Sequence, residues 1–387
     1  MRGQKLNPSC GLIGAGILIC ISSFFLGSCT KDEPVRVGFC AELTGKQAEL
    51  GVQERNGVQM AVEKINSSGG IGGRQIELIV LDDLGTPEGA KASDRELIEK
   101  GVVAIIGHAT SAQTIAGLSI TNPAHVVMLS PTASTAELSG KDDYFLRVIQ
   151  PLFERAGGLA QHAYLRRGVQ RLAVIYDTRN AAYVQSFSKT FVEKYRSLGG
   201  KVSGEAGYSS AKRTDFDPLL AKLRASKADG LLIIASDNDT AIIAQRARLI
   251  GWKAPLFTSA WAQTETLIKN GGEAVEGMDL EQTYSLNSQA PDFLDFKARY
   301  QQQFGRAPSF GASLGYEAAV VLAAALEKCG GKAEGVRQAL LETRDFKGLV
   351  DNFSIDKYGD VVRPFYLGTI RDGKYADIDR FIPRTPQ

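Results

Sequence analysis

Val102-Val-Ala-Ile-Ile-Gly-His-Ala-Thr-Ser-Ala-Gln-Thr114 is the stretch on which the reading of the fold turns. Val102 to Ile106 is an unbroken apolar run, the pattern of a strand buried on both faces. Gly107 breaks the run, and His108, Ala109, Thr110 and Ser111 form a small turn cluster. Thr110 and Gln113 are spaced as a capping box opening a helix. A strand, a turn and a helix start gather free backbone N–H groups and the positive end of a helix dipole at one point, where a carboxylate is held well. The pattern then returns: His125 to Leu129 is largely apolar, and Ser130-Pro-Thr-Ala-Ser-Thr135 puts hydroxyls at the end of the next strand. Open parallel sheets bind ligands at the carboxyl ends of adjacent strands. The two clusters therefore read either as one binding site or as ordinary turns with N-cap hydroxyls.

Working outward, the same alternation continues on both sides. Val35–Cys40 and Ile76–Leu81 read as strands, with helices over 57–66 and, opened by Pro87, to Lys100. After a short strand over 144–149 the series restarts. Helices are predicted over 152–166, 183–198, 216–225 and 240–250, and strands over 171–176, 230–235 and 256–259. Two βα series in tandem predict an α/β protein of two similar lobes, each a sheet covered on both faces. The length of 387 residues also exceeds what one hydrophobic core usually supports. The last third adds helices over 293–304 and 314–328 and a strand over 364–370, and Asp372-Gly373 signals a final hairpin. Such a tail is expected to complete both lobes.

The N-terminus is a different object. Arg2 and Lys5 precede the apolar core Gly11–Phe25, which has signal-peptide length and no stop-transfer pattern after it. It ends in Leu26-Gly-Ser-Cys29, which resembles the lipobox of bacterial lipoproteins, in which the cysteine becomes the lipidated mature N-terminus. Losing Arg2 and Lys5 takes the formal charge from +2 to neutral. Of five cysteines, Cys10 and Cys20 would leave with the signal and Cys29 would carry lipid. Cys40 and Cys329 remain, and two separate, largely buried thiols are expected.

Leu43-Thr-Gly45, Asn66-Ser-Ser-Gly-Gly-Ile-Gly-Gly73, Asp82-Asp83, Ile106-Gly-His108 with Ser111, Leu129-Ser-Pro131 with Ala133-Ser134, Ala247-Arg-Leu-Ile-Gly251 and Gly315-Tyr-Glu-Ala318 stand in that order along the chain. Together they resemble the type I periplasmic binding proteins of branched-chain amino-acid (Leu/Ile/Val) ABC transporters. The resemblance covers Val35 to about Ile370. It implies two Rossmann-like lobes joined by three crossovers, with the ligand clamped between them. The expected organisation is a signal peptide over 1–28 and a tether over 29–34. The first lobe would span 35–148 plus 282–360, and the second 149–281 plus 361–387.

The resemblance also implies site residues. Ser111 matches the serine that holds the ligand carboxylate, Thr132 a backbone contributor and Ser134 a hydroxyl position, with Ala133 between them. Tyr183 matches a tyrosine of the opposite lobe that closes over the ligand. Leu50 and Phe310 match wall positions. Many amino-acid-binding members carry a carboxylate for the ligand ammonium after the strand that here reads Leu256-Phe-Thr-Ser-Ala-Trp261, and this chain has Ala260 and Trp261 there. A neighbouring tyrosine position is Ser236, followed by Asp237. Either Asp237 takes over the ammonium or the ligand has none, because an unpartnered buried ammonium is costly; Asp237 also reads as an N-cap of the following helix. Trp261 would add an aromatic wall.

Other function classes find little support. There is no run of basic residues for nucleic acid, and no H-E-x-x-H, C-x-x-C or P-loop for catalysis or a metal. No enzyme activity, cofactor or metal is expected. The expected protein is a monomeric, extracytoplasmic, lipid-anchored binder of a small carboxylate such as an amino acid, serving ABC permease subunits. The alternative is a tethered sensor of the same fold that signals to a receptor.

Overall fold

A computed structural model describes residues 33–45 and 48–382. The signal segment, Cys29 and the tether as far as Asp32 lie outside the described residues. The first series runs β1 (Val35–Ala41), α1 (Ala48–Ser67), β2 (Ile76–Asp82), α2 (Pro87–Glu99), β3 (Ala104–Gly107), α3 (Ser111–Thr121), β4 (Val127–Ser130) and β5 (Phe145–Arg147). Its five strands form one parallel sheet in the order β2-β1-β3-β4-β5. β3 and β4 are buried at every residue, which is why both read as continuous apolar runs. Local chemistry sets the helix starts. Thr86 caps α2 by accepting from Gly89 N, with Pro87 in the first turn, and Thr110 caps α3 by accepting from Gln113 N.

The second series contains α4 (Leu152–Gln161), β6 (Arg171–Asp177), α5 (Ala181–Ser197), β7 (Lys201–Tyr208), α6 (Asp217–Ala225), β8 (Gly230–Ile234), α7 (Asp237–Leu249), β9 (Leu256–Thr258), α8 (Glu265–Gly271) and β10 (Asp279–Gln282). The chain then returns to the first lobe as α9 (Pro291–Phe304), α10 (Phe310–Lys328), α11 (Val336–Leu341) and the small pair β11 (Ser354–Ile355) and β12 (Val361–Val362). It ends in the second sheet with β13 (Phe365–Arg371) and β14 (Lys374–Phe381), a hairpin across Asp372-Gly373. The second sheet has the order β14-β13-β10-β9-β8-β6-β7. It is parallel from β10 to β7, but β13 joins β10 antiparallel, so this lobe is mixed rather than wholly parallel.

The chain thus passes between the sheets three times, and the Gln150 side chain joins the three passages. Its Nε2 donates to Thr283 O at 3.1 Å and to Pro364 O at 2.5 Å. α10 is apolar enough by length and composition to cross a membrane, but it is largely buried in the first lobe's core. Cys40 and Cys329 are both free. Cys40 is buried, whereas Cys329, expected to be largely buried, is half-buried at the end of α10.

Candidate functional site

The predicted hydroxyls meet. Ser111 opens α3 after β3, and Thr132 and Ser134 follow β4, so the two strand ends present them side by side. With Ala109, Leu50 of α1 and Phe310 of α10 they line one side of a closed cleft of about 20 Å³. The second lobe supplies Arg155 of α4, Asn180, Tyr183 of α5, Ala260 and Trp261, and Ile149 lies at the first passage between the lobes. A wider groove of about 580 Å³ opens beside Thr264, Phe293 and Pro308. The small cleft is the candidate site because the hydroxyls predicted from the strand ends converge there against the opposite lobe.

The three hydroxyls differ in what they already hold. Ser111 Oγ accepts from Thr135 N at 3.3 Å, which leaves its own proton to donate. Ser134 Oγ is buried and has no partner. Thr132 Oγ1 lies 2.6 Å from Ala109 O and close to Glu54 Oε1. Glu54, on α1 one turn from Leu50, is buried, and its carboxyl is pushed up to about 8, chiefly by desolvation. Ala133 lies behind this row with its backbone committed: its N–H donates to Ser130 Oγ and its carbonyl accepts from Arg147.

On the opposite wall, Tyr183 and Trp261 meet edge to face with ring centroids 5.8 Å apart. Burial, and then the nearby Glu281 carboxylate, raise the Tyr183 phenol so that it stays neutral. Arg155 is 1% exposed. Its Nη1 donates to Glu281 Oε2 at 2.5 Å and its Nη2 to Gln150 O at 3.4 Å, while Nε has no partner. Glu281 Oε1 accepts from Ala260 N at 2.9 Å.

Ser236 and Asp237 do not line the cleft. Ser236 is the N-cap residue of α7 and makes no side-chain cap bond. Asp237, expected as an ammonium partner or a cap, is the first residue of that helix. It is turned instead toward Thr264, whose hydroxyl donates to Oδ2 at 2.7 Å, and Asn238 N donates to Oδ1. Sequence reasoning missed Arg155, Glu54 and Glu281. Arg155 carried no signal, since a lone arginine in a helix reads as surface charge.

The lobes are held shut by polar contacts around this site. Ala112 N donates to Asn180 Oδ1 at 3.3 Å, Thr135 Oγ1 to Ala182 O at 3.1 Å and Ala136 N to Ser186 Oγ at 3.0 Å. Arg179 Nη2 pairs with Glu42 at 3.2 Å.

The family model described as "Periplasmic binding protein" matches residues 34–374. A leucine-, isoleucine-, valine-, threonine- and alanine-binding protein of Pseudomonas aeruginosa is 24% identical over 334 residues, covering 85% of this chain and 87% of that protein. The structure of a leucine-binding protein from Thermotoga maritima superposes with a TM-score of 0.83 at 26% identity, over 90% of this chain and 99% of its own. A solute-binding protein of Rhodopseudomonas palustris in complex with 3,4-dihydroxybenzoic acid shares the fold, with a TM-score of 0.81 at 23% identity over 91% of this chain and 98% of its own. Because the family match spans both lobes and the cleft between them, the chain belongs to the periplasmic binding protein family.

Proposed function

We propose that this protein is an extracytoplasmic, lipid-anchored solute-binding protein that captures an amino acid or related small carboxylate and presents its closed form to an ABC permease. The observation that carries this reading is the convergence of Ser111, at the start of α3, with Thr132 and Ser134, after β4, on a cleft closed by Tyr183 and Trp261 of the other lobe. The ligand carboxylate docks on the first lobe, where hydroxyl donors and the helix N-terminus favour negative charge. The second lobe then closes over it. Leu50 and Phe310 pack against the ligand body. The relatives' ligands, branched-chain amino acids in some and a benzoate in another, share a carboxylate, which supports the same class here. Lipid attachment at Cys29 follows from the Leu26-Gly-Ser-Cys29 box.

Calorimetric titration of the purified full-length protein with small carboxylates tests the reading. Ser111→Ala should weaken the best ligand by about 1–3 kcal/mol, because the lost hydroxyl faces a charged group. An unchanged affinity would remove Ser111 from the site.

A further inference from the structure

We infer that the ligand is an apolar monocarboxylate carrying no ammonium group, and that Arg155, paired with Glu281, is the residue that enforces this choice. The inference rests on the proposed reading of the cleft as a carboxylate site and narrows its ligand class.

An α-amino acid brings two charges into a closed cleft. Its carboxylate is served by Ser111, Ser134 and the start of α3. Its ammonium needs acceptors of its own, since an unpaired cation out of water is costly. Among the described residues lining the cleft, the only charged side chain is itself a cation, Arg155. It is buried, and its unpartnered Nε–H is a donor, not an acceptor. A ligand ammonium would find a donor where it needs an acceptor.

The carboxylates close to the cleft are not available in its place. Glu281 has one oxygen on Arg155 and the other on Ala260 N, and it lies outside the lining. Asp237 is held by Thr264 and Asn238. Glu54 stands behind Thr132, which occupies the lining position. The Arg155–Glu281 pair is also neutral as a unit, so the second lobe adds no net charge to balance a zwitterion's second pole. Asn180 also lines the cleft, with its Oδ1 already accepting from Ala112 N, and the remaining wall is apolar or aromatic: Leu50, Ile149, Phe310, Tyr183 and Trp261. Such a wall suits a hydrocarbon or aromatic body attached to a single carboxylate.

Arg155 thereby becomes a specificity device with a definite failure mode. Removing its charge leaves the buried Glu281 carboxylate short of a partner, and an ammonium-bearing ligand then becomes the natural counter-ion. The change should convert the preference of the site rather than simply weaken it.

The experiment is titration of the full-length protein with matched pairs that differ only in the ammonium: 3-phenylpropanoate against phenylalanine, and 4-methylpentanoate against leucine. In the wild type each desamino acid should bind at least about tenfold more tightly than its partner. In Arg155→Gln, checked for folding by its thermal melt, that ratio should move toward the amino acid by at least about tenfold. The double variant Arg155→Gln/Glu281→Gln restores a neutral pair. It should lose the discrimination of the wild type without gaining a preference for the amino acid, and it serves as the readout if the single variant does not fold. Equal or tighter binding of phenylalanine or leucine by the wild type overturns the inference but leaves the carboxylate site standing. An unchanged ratio in the variants also overturns it. If no acid in either series binds, the carboxylate reading itself fails and the inference goes with it.

Discussion

Thr132 has one hydroxyl proton and two acceptors within reach, Ala109 O and Glu54 Oε1. Both contacts are satisfied only if Glu54 is protonated: its O–H then donates to Thr132 Oγ1, whose own O–H donates to Ala109 O. Desolvation, which raises this carboxyl from 4.5 to about 8, points the same way. A carboxyl that is neutral in the fold and ionised when unfolded contributes stability below about pH 4.5, and that contribution is lost as the pH rises toward 8. His108 acts in the same direction at higher pH. It sits between Asp83 at 2.7 Å and Asp94 at 3.2 Å, and these carboxylates, together with Cys40, raise it well above 6.5 against the effect of burial. Glu54→Gln keeps a neutral donor to Thr132 and cannot ionise. Urea unfolding at pH 5 and pH 9 should find it close to the wild type at the lower pH and more stable at the higher, by as much as about 4 kcal/mol. Parallel curves for the two proteins would mean that Glu54 is already ionised in the fold. At this scale the serines and threonines of the candidate site were legible, because each follows a strand end. Glu54 and Arg155 were not, because charged residues on helices ordinarily face water.

α1 and α10 carry Leu50 and Phe310 into the cleft, and they can do so because their backbones touch. A Cβ on Gly57 would lie well inside contact distance of the Ala312 carbonyl oxygen, and one on Gly315 would crowd the backbone of Glu54. Gly57→Ala gains helix propensity of roughly 1 kcal/mol but must push the two helices apart. A net loss of about 2 kcal/mol in denaturant unfolding is expected, with weaker ligand binding as Leu50 shifts against Phe310. A stabilised variant would show that the contact is looser than drawn. Most elements were legible because their signals are local: apolar runs for β3 and β4, Pro87 after Thr86 for α2, and Asp372-Gly373 for the last hairpin. Their limits were less so. α1 begins at Ala48, before the helix that its sequence pattern predicted, and β5 shrinks to Phe145–Arg147. Pairing partners, not side-chain pattern, decide where a strand stops.

At the scale of the molecule, the lobes meet around the cleft through a few directed contacts, while Gln150 joins the three connecting segments. Arg179 reaches across from the second lobe to Glu42 and to Gly85 O. Its contribution exists only when the lobes are closed, so Arg179→Ala should weaken ligand binding by about fivefold, near 1 kcal/mol. Stopped-flow measurement should place most of that loss in a faster off-rate. An unchanged off-rate would remove this pair from closure. The residues themselves determined the α/β class, the two serial lobes and the hydroxyl clusters, because period, turn chemistry and capping are read within a few residues of one another. Only the tertiary structure decided which charges the cleft contains. Arg155 meets Glu281 across 126 positions and Glu54 meets Thr132 across 78, so no local pattern records either pair. Their charge states depend on desolvation, which exists only once the lobes have packed.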